Sequence, residues 1–181
     1  MYVPLTSFII FARNTASSVV SSQHAAKCFA FKYYDNDTLV SELIPVLVGT
    51  EYCMYDIVAN QTYHNKGSDE FTGGKEVKPT EVKKFINEKV NSGLAPYGYR
   101  LLEYIESSGT QYIDTGIKPT IDIGIYMKAL SPSGGICCGF GQTSGNTPGF
   151  IFGQIGYGIA GTQYNNQYTY GQLFGLGGHA P

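Results

Sequence analysis

Residues 157–172 read YGIAGTQYNNQYTYGQ, the stretch of this chain with the most binding chemistry. Tyr157, Tyr164, Tyr168 and Tyr170 stand among Gln163, Asn165, Asn166 and Gln167, so flat aromatic faces lie beside amide donors and acceptors. Sugar recognition needs that mixture: C–H faces of a pyranose stack on rings while hydroxyls take planar, two-point hydrogen bonds from amides. Tyrosine with asparagine also suits protein recognition, because it supplies contact area at low entropic cost. The same residues would equally serve as ordinary sheet-surface tyrosines followed by a polar loop.

Other chemistry finds less support. Glu103 and Glu106 are three apart, so in a strand they would face opposite sides and could not act as an acid and nucleophile pair. Gly156 to Gly161, GYGIAG, matches a dinucleotide-binding fingerprint letter for letter. It is followed by a polar, tyrosine-rich run, however, with neither an apolar helix nor an acidic residue at the ribose distance. Turns, bulges or close strand packing account better for its glycines. No G-x-S-x-G elbow occurs, and His24, His64 and His179 sit in unrelated polar contexts. Cys28, Cys53, Cys137 and Cys138 show no C-x-x-C spacing, which favours structural thiols over a zinc site; in a strand, Cys137 and Cys138 would point to opposite faces. Asp35 and Asp37 could offer oxygen ligands to calcium, but a hairpin turn explains them more simply, and no cofactor is indicated.

Of the 181 residues only 14% are charged, against about 25% in typical soluble domains, while 23 glycines, 15 tyrosines and 10 phenylalanines are present. A net charge of -2 gives no electrostatic reason to expect nucleic acid or an anionic membrane as partner. No run approaches the roughly 18 apolar residues of a membrane span. The opening MYVPLTSFIIFARN has no basic region before its apolar run, so no export signal is expected there; a protein acting outside cells would leave by another route or belong to a longer chain.

The elements that must position these residues read almost entirely as strands. TSFIIFARN is a short apolar run closed by Arg13-Asn14, and AKCFAFKYY and TLVSELIPVLVG flank Asp35-Asn36-Asp37 as a hairpin. EYCMYDIVANQTYHNKGSDEF suggests two short strands around Ala59-Asn60-Gln61, then a loop from Asn65 to Asp69. In IDIGIYMKA, Ile121, Ile123, Ile125, Met127 and Ala129 alternate with Asp122, Gly124, Tyr126 and Lys128, which predicts a strand with one core face. Beyond Ser131, strands over Gly135 to Phe140, Gly149 to Ile155 and Gly158 to Gln163 are joined by glycine-rich turns. The exception is KPTEVKKFINEKVNSG, where Val82, Phe85, Ile86 and Val90 share a helix face between a Thr80 cap and a Gly93 stop. That helix would link two β segments, or dock its stripe on a neighbouring domain or on copies of itself. So many strands with one helix predict an antiparallel sandwich or jelly roll.

LLEYIESSGTQYIDTGIKP, from Leu101 onward, resembles the opening of the concanavalin-like (laminin-G-like) jelly-roll modules of phage and prophage structural proteins from gut bacteria. The likeness covers Arg100 to about Leu130 well. The first part of the chain resembles the end of the same module: Phe11 to Asn14, the hairpin over Phe29 to Val46, then Tyr55-Asp56-Ile57-Val58 through Tyr63, Asn65, Gly67 and Phe71 to Gly73. The order is tail, helix, head, the reverse of one intact module, and the family's middle strands have no counterpart. The E-x-D-x-x-E strand of glycan-cleaving concanavalin-like enzymes is also absent.

The resemblance therefore implies an all-β, antiparallel, concanavalin-like sandwich, permuted within one chain or shared between chains. Residues 1–75 would form the C-terminal half of a module, 76–93 a linker helix and 94–181 an N-terminal half. Alone, each half would expose an apolar face and bare edges, so the halves would pair in one chain, exchange between copies, or belong to a fragment. It further implies a non-enzymatic structural or adhesive role at a virion surface or on an extracellular appendage. Partners would be other virion or appendage subunits, further copies of the chain and host surface glycan; the alternative is a glycan-binding lectin module of a bacterial surface adhesin.

Overall fold

The computed structural model describes residues 7–14, 20–21, 23–77, 95–118, 123–130, 136–141, 149–155, 159–164 and 167–170. These carry β1 (Ile9–Ile10), β2 (Arg13–Asn14), β3 (Val20–Ser21), β4 (Ala25–Asp35), β5 (Thr38–Val48), β6 (Glu51–Asp56), β7 (Gln61–Tyr63) and β8 (Thr72–Gly73). They continue as β9 (Tyr99–Leu101), β10 (Ile105–Ser108), β11 (Ile113–Asp114), β12 (Ile123–Leu130), β13 (Ile136–Gly141), β14 (Gly149–Ile155), β15 (Ile159–Tyr164) and β16 (Gln167–Tyr170). One sheet runs β11-β1-β13-β14-β15-β16, with β2 on β13 and β3 on β2. The other runs β7-β6-β5-β4-β10-β8, with β12 on β4 and β9 on β5. Among the described residues pairing is antiparallel except for the single parallel contact of Phe140 with Asn14. The protein is an all-β antiparallel sandwich, and each sheet contains strands from before residue 75 and from after residue 94.

Local chemistry explains the strands that position the rest. Asn36 and Asp37 form the two-residue turn between β4 and β5 at φ of 46° and 59°, left-handed values that Asn and Asp tolerate and that match the twist of a hairpin. The Asp35 carboxylate accepts from Asn36 Nδ2 at 3.0 Å. The alternation of β12 is as expected: Met127 and Ala129 are buried and Ile123 and Ile125 pack on the core, while Tyr126 is exposed. The apolar run FIIFA does not make one strand, because Phe11 turns the backbone to φ 70° and its ring packs on Phe71 at 5.4 Å.

β5 is buried continuously from Ser41 to Val46 because both its faces are covered. Leu43 enters the main core between the sheets, with Phe8, Ile10, Cys28, Phe31, Met54, Ile105, Ile113 and Cys138. Ile44 and Val46 enter a second cluster on the outer face, where Ala95, Tyr99 and Leu101 fold over them. The hairpin also forks. β4 pairs with β5 only as far as Phe31 and Leu43, and β9 takes over from Val46. Pro45 stands at that fork: it has no N–H to donate, and its carbonyl accepts from Leu102 at 3.0 Å.

Among the described residues there is no helix. Val82, Phe85, Ile86 and Val90 of the expected helix lie outside the described residues. Glu76 and Val77, at the start of the expected 76–93 linker, are instead paired as extended chain with Leu102 and Leu101. β16 follows a stretch expected to be a polar loop. The register of β13 skips between Ile136 and Cys138, so Cys137 sits in a bulge and strict alternation does not hold there.

Candidate functional site

The site is built by two segments far apart in sequence. Residues 99–117 find their backbone partners largely in the first 77. β10 pairs with β4, Ile105 opposite Cys28, and with β8, Glu106 opposite Thr72 and Ile105 opposite Gly73. The same antiparallel register runs on through Gly74 N to Tyr104 O, Glu103 N to Lys75 O, Glu76 opposite Leu102, and Val77 N to Leu101 O. Segment 72–77 thus lies against 101–106 along its whole length. β11 pairs with β1, and Thr115 donates its N–H and its hydroxyl to the Phe8 carbonyl at 3.1 and 2.8 Å. Gly73 is required by the close approach: a Cβ there would lie 2.6 Å from the Tyr52 ring.

Four polar side chains lock the loops around this seam. Gln111 is fully buried; its Oε1 accepts from Ser108 N at 2.8 Å and Ser107 Oγ at 3.0 Å, and its Nε2 donates to the Glu70 carbonyl at 2.9 Å. Asn65 Oδ1 accepts from Gly67 N and Tyr112 N, and Thr110 Oγ1 donates to Asp69 Oδ2 at 2.9 Å. Gly67 presses on Thr110, where a Cβ would stand 2.0 Å from the carbonyl oxygen. The buried Asp56 accepts from Ser41 Oγ at 2.6 Å and from the backbone of Glu42, Val58 and Ala59, fixing the β6–β7 turn that Asn60 completes at φ 54°.

Those turns place the edge strand β7 of one sheet near β11, the edge strand of the other. Between them runs an open groove of about 610 Å³, lined by Gln61, Thr62, Tyr63, His64 and Lys66 on one side and Asp114, Thr115 and Gly116 on the other. Tyr63 is half-buried against the core. Burial, with the negative Asp56 and Asp114 adding to it, holds its phenol above the ordinary range, so the hydroxyl keeps its proton as a donor. His64 Nδ1 bonds Glu51 Oε1 at 2.8 Å, which orients the ring. Asp114 Oδ1 accepts from Gly116 N at 2.9 Å, and Thr62 Oγ1 shares a 2.9 Å bond with Tyr99 Oη. Carboxylate, ammonium, imidazole, phenol and amide thus line one wall-to-wall space.

The tyrosine- and amide-rich residues lie elsewhere, on the far edge of the β1 sheet. Tyr157, Asn165 and Asn166 are outside the described residues. Register places Gln163 opposite Tyr168, Tyr164 opposite Gln167, and Gly161 opposite Tyr170. Ile159 to Gly161, the end of GYGIAG, belongs to β15 and continues as strand.

Glu106 lies in β10 beside Lys27 at 3.6 Å, whereas Glu103 sits in the bend before that strand rather than within it, its N–H bonded to the Lys75 carbonyl. Cys28, Cys53 and Cys138 are buried, and among the described residues no group of three or more His, Cys, Asp or Glu could hold a metal. The groove was not anticipated from sequence; its only signal was the polar run QTYHNK after a short strand.

Fold and groove together define an antiparallel β-sandwich with a cleft between the edge strands of its two sheets, lined by residues 61–66 and 114–116. Comparison with protein-family models, curated proteins and solved structures finds no match to this chain.

Proposed function

We propose that this chain is a non-enzymatic structural or adhesive protein of a phage particle or prophage-encoded appendage, displayed at the virion surface or on an extracellular fibre. It acts by binding: to neighbouring subunits of the same assembly, and to host surface glycan. The observation that carries the reading is the in-register pairing of 72–77 with 101–106. The segment resembling a module's tail closes on the segment resembling a module's head, as expected of a permuted concanavalin-like sandwich from that group of proteins.

The test is co-purification. A tagged chain expressed in the host of such an element is expected to band with intact particles on a density gradient and to be reached there by gold-labelled antibody. Recovery only in the soluble fraction would sink the reading. The polar groove favours one alternative, a glycan-binding lectin module of a bacterial surface adhesin. On the same gradient that alternative places the chain with the cell envelope.

A further inference from the structure

We infer that the groove between β7 and β11 is a binding site for a neutral saccharide, distinct from the tyrosine-rich β15–β16 edge. The inference rests on the adhesive half of the reading above. Its first ground is the balance of charge. Lys66 is exposed with no ion pair among the described residues, and Asp114 offers an oxygen, Oδ2, that no hydrogen bond among the described residues occupies. A phosphate or carboxylate ligand would meet the Asp114 charge, and a cationic ligand would meet Lys66. A sugar hydroxyl both donates and accepts, so a neutral polyol satisfies the two walls together.

The second ground is how firmly the lining is held. Tyr63 is anchored in the core, His64 is oriented by Glu51, and Asp114 is fixed through the Gly116 N–H. A prearranged site loses less side-chain entropy when a ligand enters. Asp114 Oδ2 would accept from a ring hydroxyl, Lys66 Nζ and the Tyr63 hydroxyl would donate to sugar oxygens, and the Tyr63 ring offers a surface for a C–H face. The volume, about 610 Å³, lies in the range of small-ligand clefts.

The experiment is an oligosaccharide array carrying neutral glucose-, galactose-, mannose- and N-acetylglucosamine-terminated chains beside sialylated and uronate-containing ones. It is probed with the full chain, and the best neutral binder is titrated by calorimetry. Saturable binding to a neutral sugar is expected, weakened at least tenfold in Asp114→Asn and in Lys66→Ala, and unchanged in a Tyr164→Ala, Tyr168→Ala variant. Both groove substitutions alter exposed or half-exposed positions, so their urea midpoints should match the parent and certify folding. No neutral binding, preference for the acidic sugars, or binding indifferent to both groove variants would each overturn the assignment. Any of these leaves the subunit role to be decided by the particle gradient.

Discussion

Gln111, Asn65 and Asp56 each satisfy several backbone groups at once, which is how a chain with few charged residues organises its loops. Gln111→Leu keeps much of the volume but leaves Ser108 N and the Glu70 carbonyl without their partner. It is expected to cost about 1–2 kcal/mol in urea unfolding, since both groups are only partly shielded and water can take up some of the lost bonding. Cys53 makes a separate prediction. Burial, reinforced by Glu51, pushes its thiol up from 9.0 to about 12. A thiol whose folded pKa is raised stabilises fully below pH 9, and that contribution fades as the unfolded chain ionises between pH 9 and about 12. The urea midpoint should therefore fall with pH across that window, and Cys53→Ala should flatten the slope. None of these roles was legible in sequence. A polar residue that caps a loop looks like any other polar residue until its partners, 14 or more positions away in the case of Ser41, Glu42 and Asp56, are brought beside it.

Elements were more legible where local chemistry decided them. Asp35-Asn36-Asp37 specified a hairpin because few residue types accept two successive left-handed conformations, and IDIGIYMKA showed its core face by strict alternation. The fork at Pro45 was hidden, since it depends on what fills the gap between β4 and β5. β16 was hidden as well, because a run of Tyr, Asn and Gln carries no apolar period. The close approach of the 65–69 loop to Thr110 can be tested with two glycines. Gly67→Ala drives a methyl to 2.0 Å from the Thr110 carbonyl and should destabilise by about 2–3 kcal/mol, as overpacking does. Gly49→Ala meets nothing within 4 Å and has only its φ of +61° against it, so about 1–2 kcal/mol is expected. Equal losses in the two variants would argue against the tight approach of the 65–69 loop to Thr110.

At the scale of the molecule, the notable feature is that EYIESSGTQYIDTG, a module opening by resemblance, is completed by residues that precede it. β10 lies between β4 and β8, and Ile105 and Ile113 are fully buried in a core drawn mostly from the first 77 residues. The reversed order is what the resemblance implies; whether the two parts meet in one chain could not be read from sequence, because pairing within and between copies uses the same residues. The most direct measurement is oxidation of a Thr72→Cys, Glu106→Cys double variant, whose positions lie opposite each other in the β8–β10 ladder. Closure within one chain predicts a disulfide joining the two peptides in a proteolytic digest, with the protein still running as a single chain on a non-reducing gel and as a monomer in native mass spectrometry. A cross-link found only in dimers or larger species, or no cross-link between these positions, would contradict it.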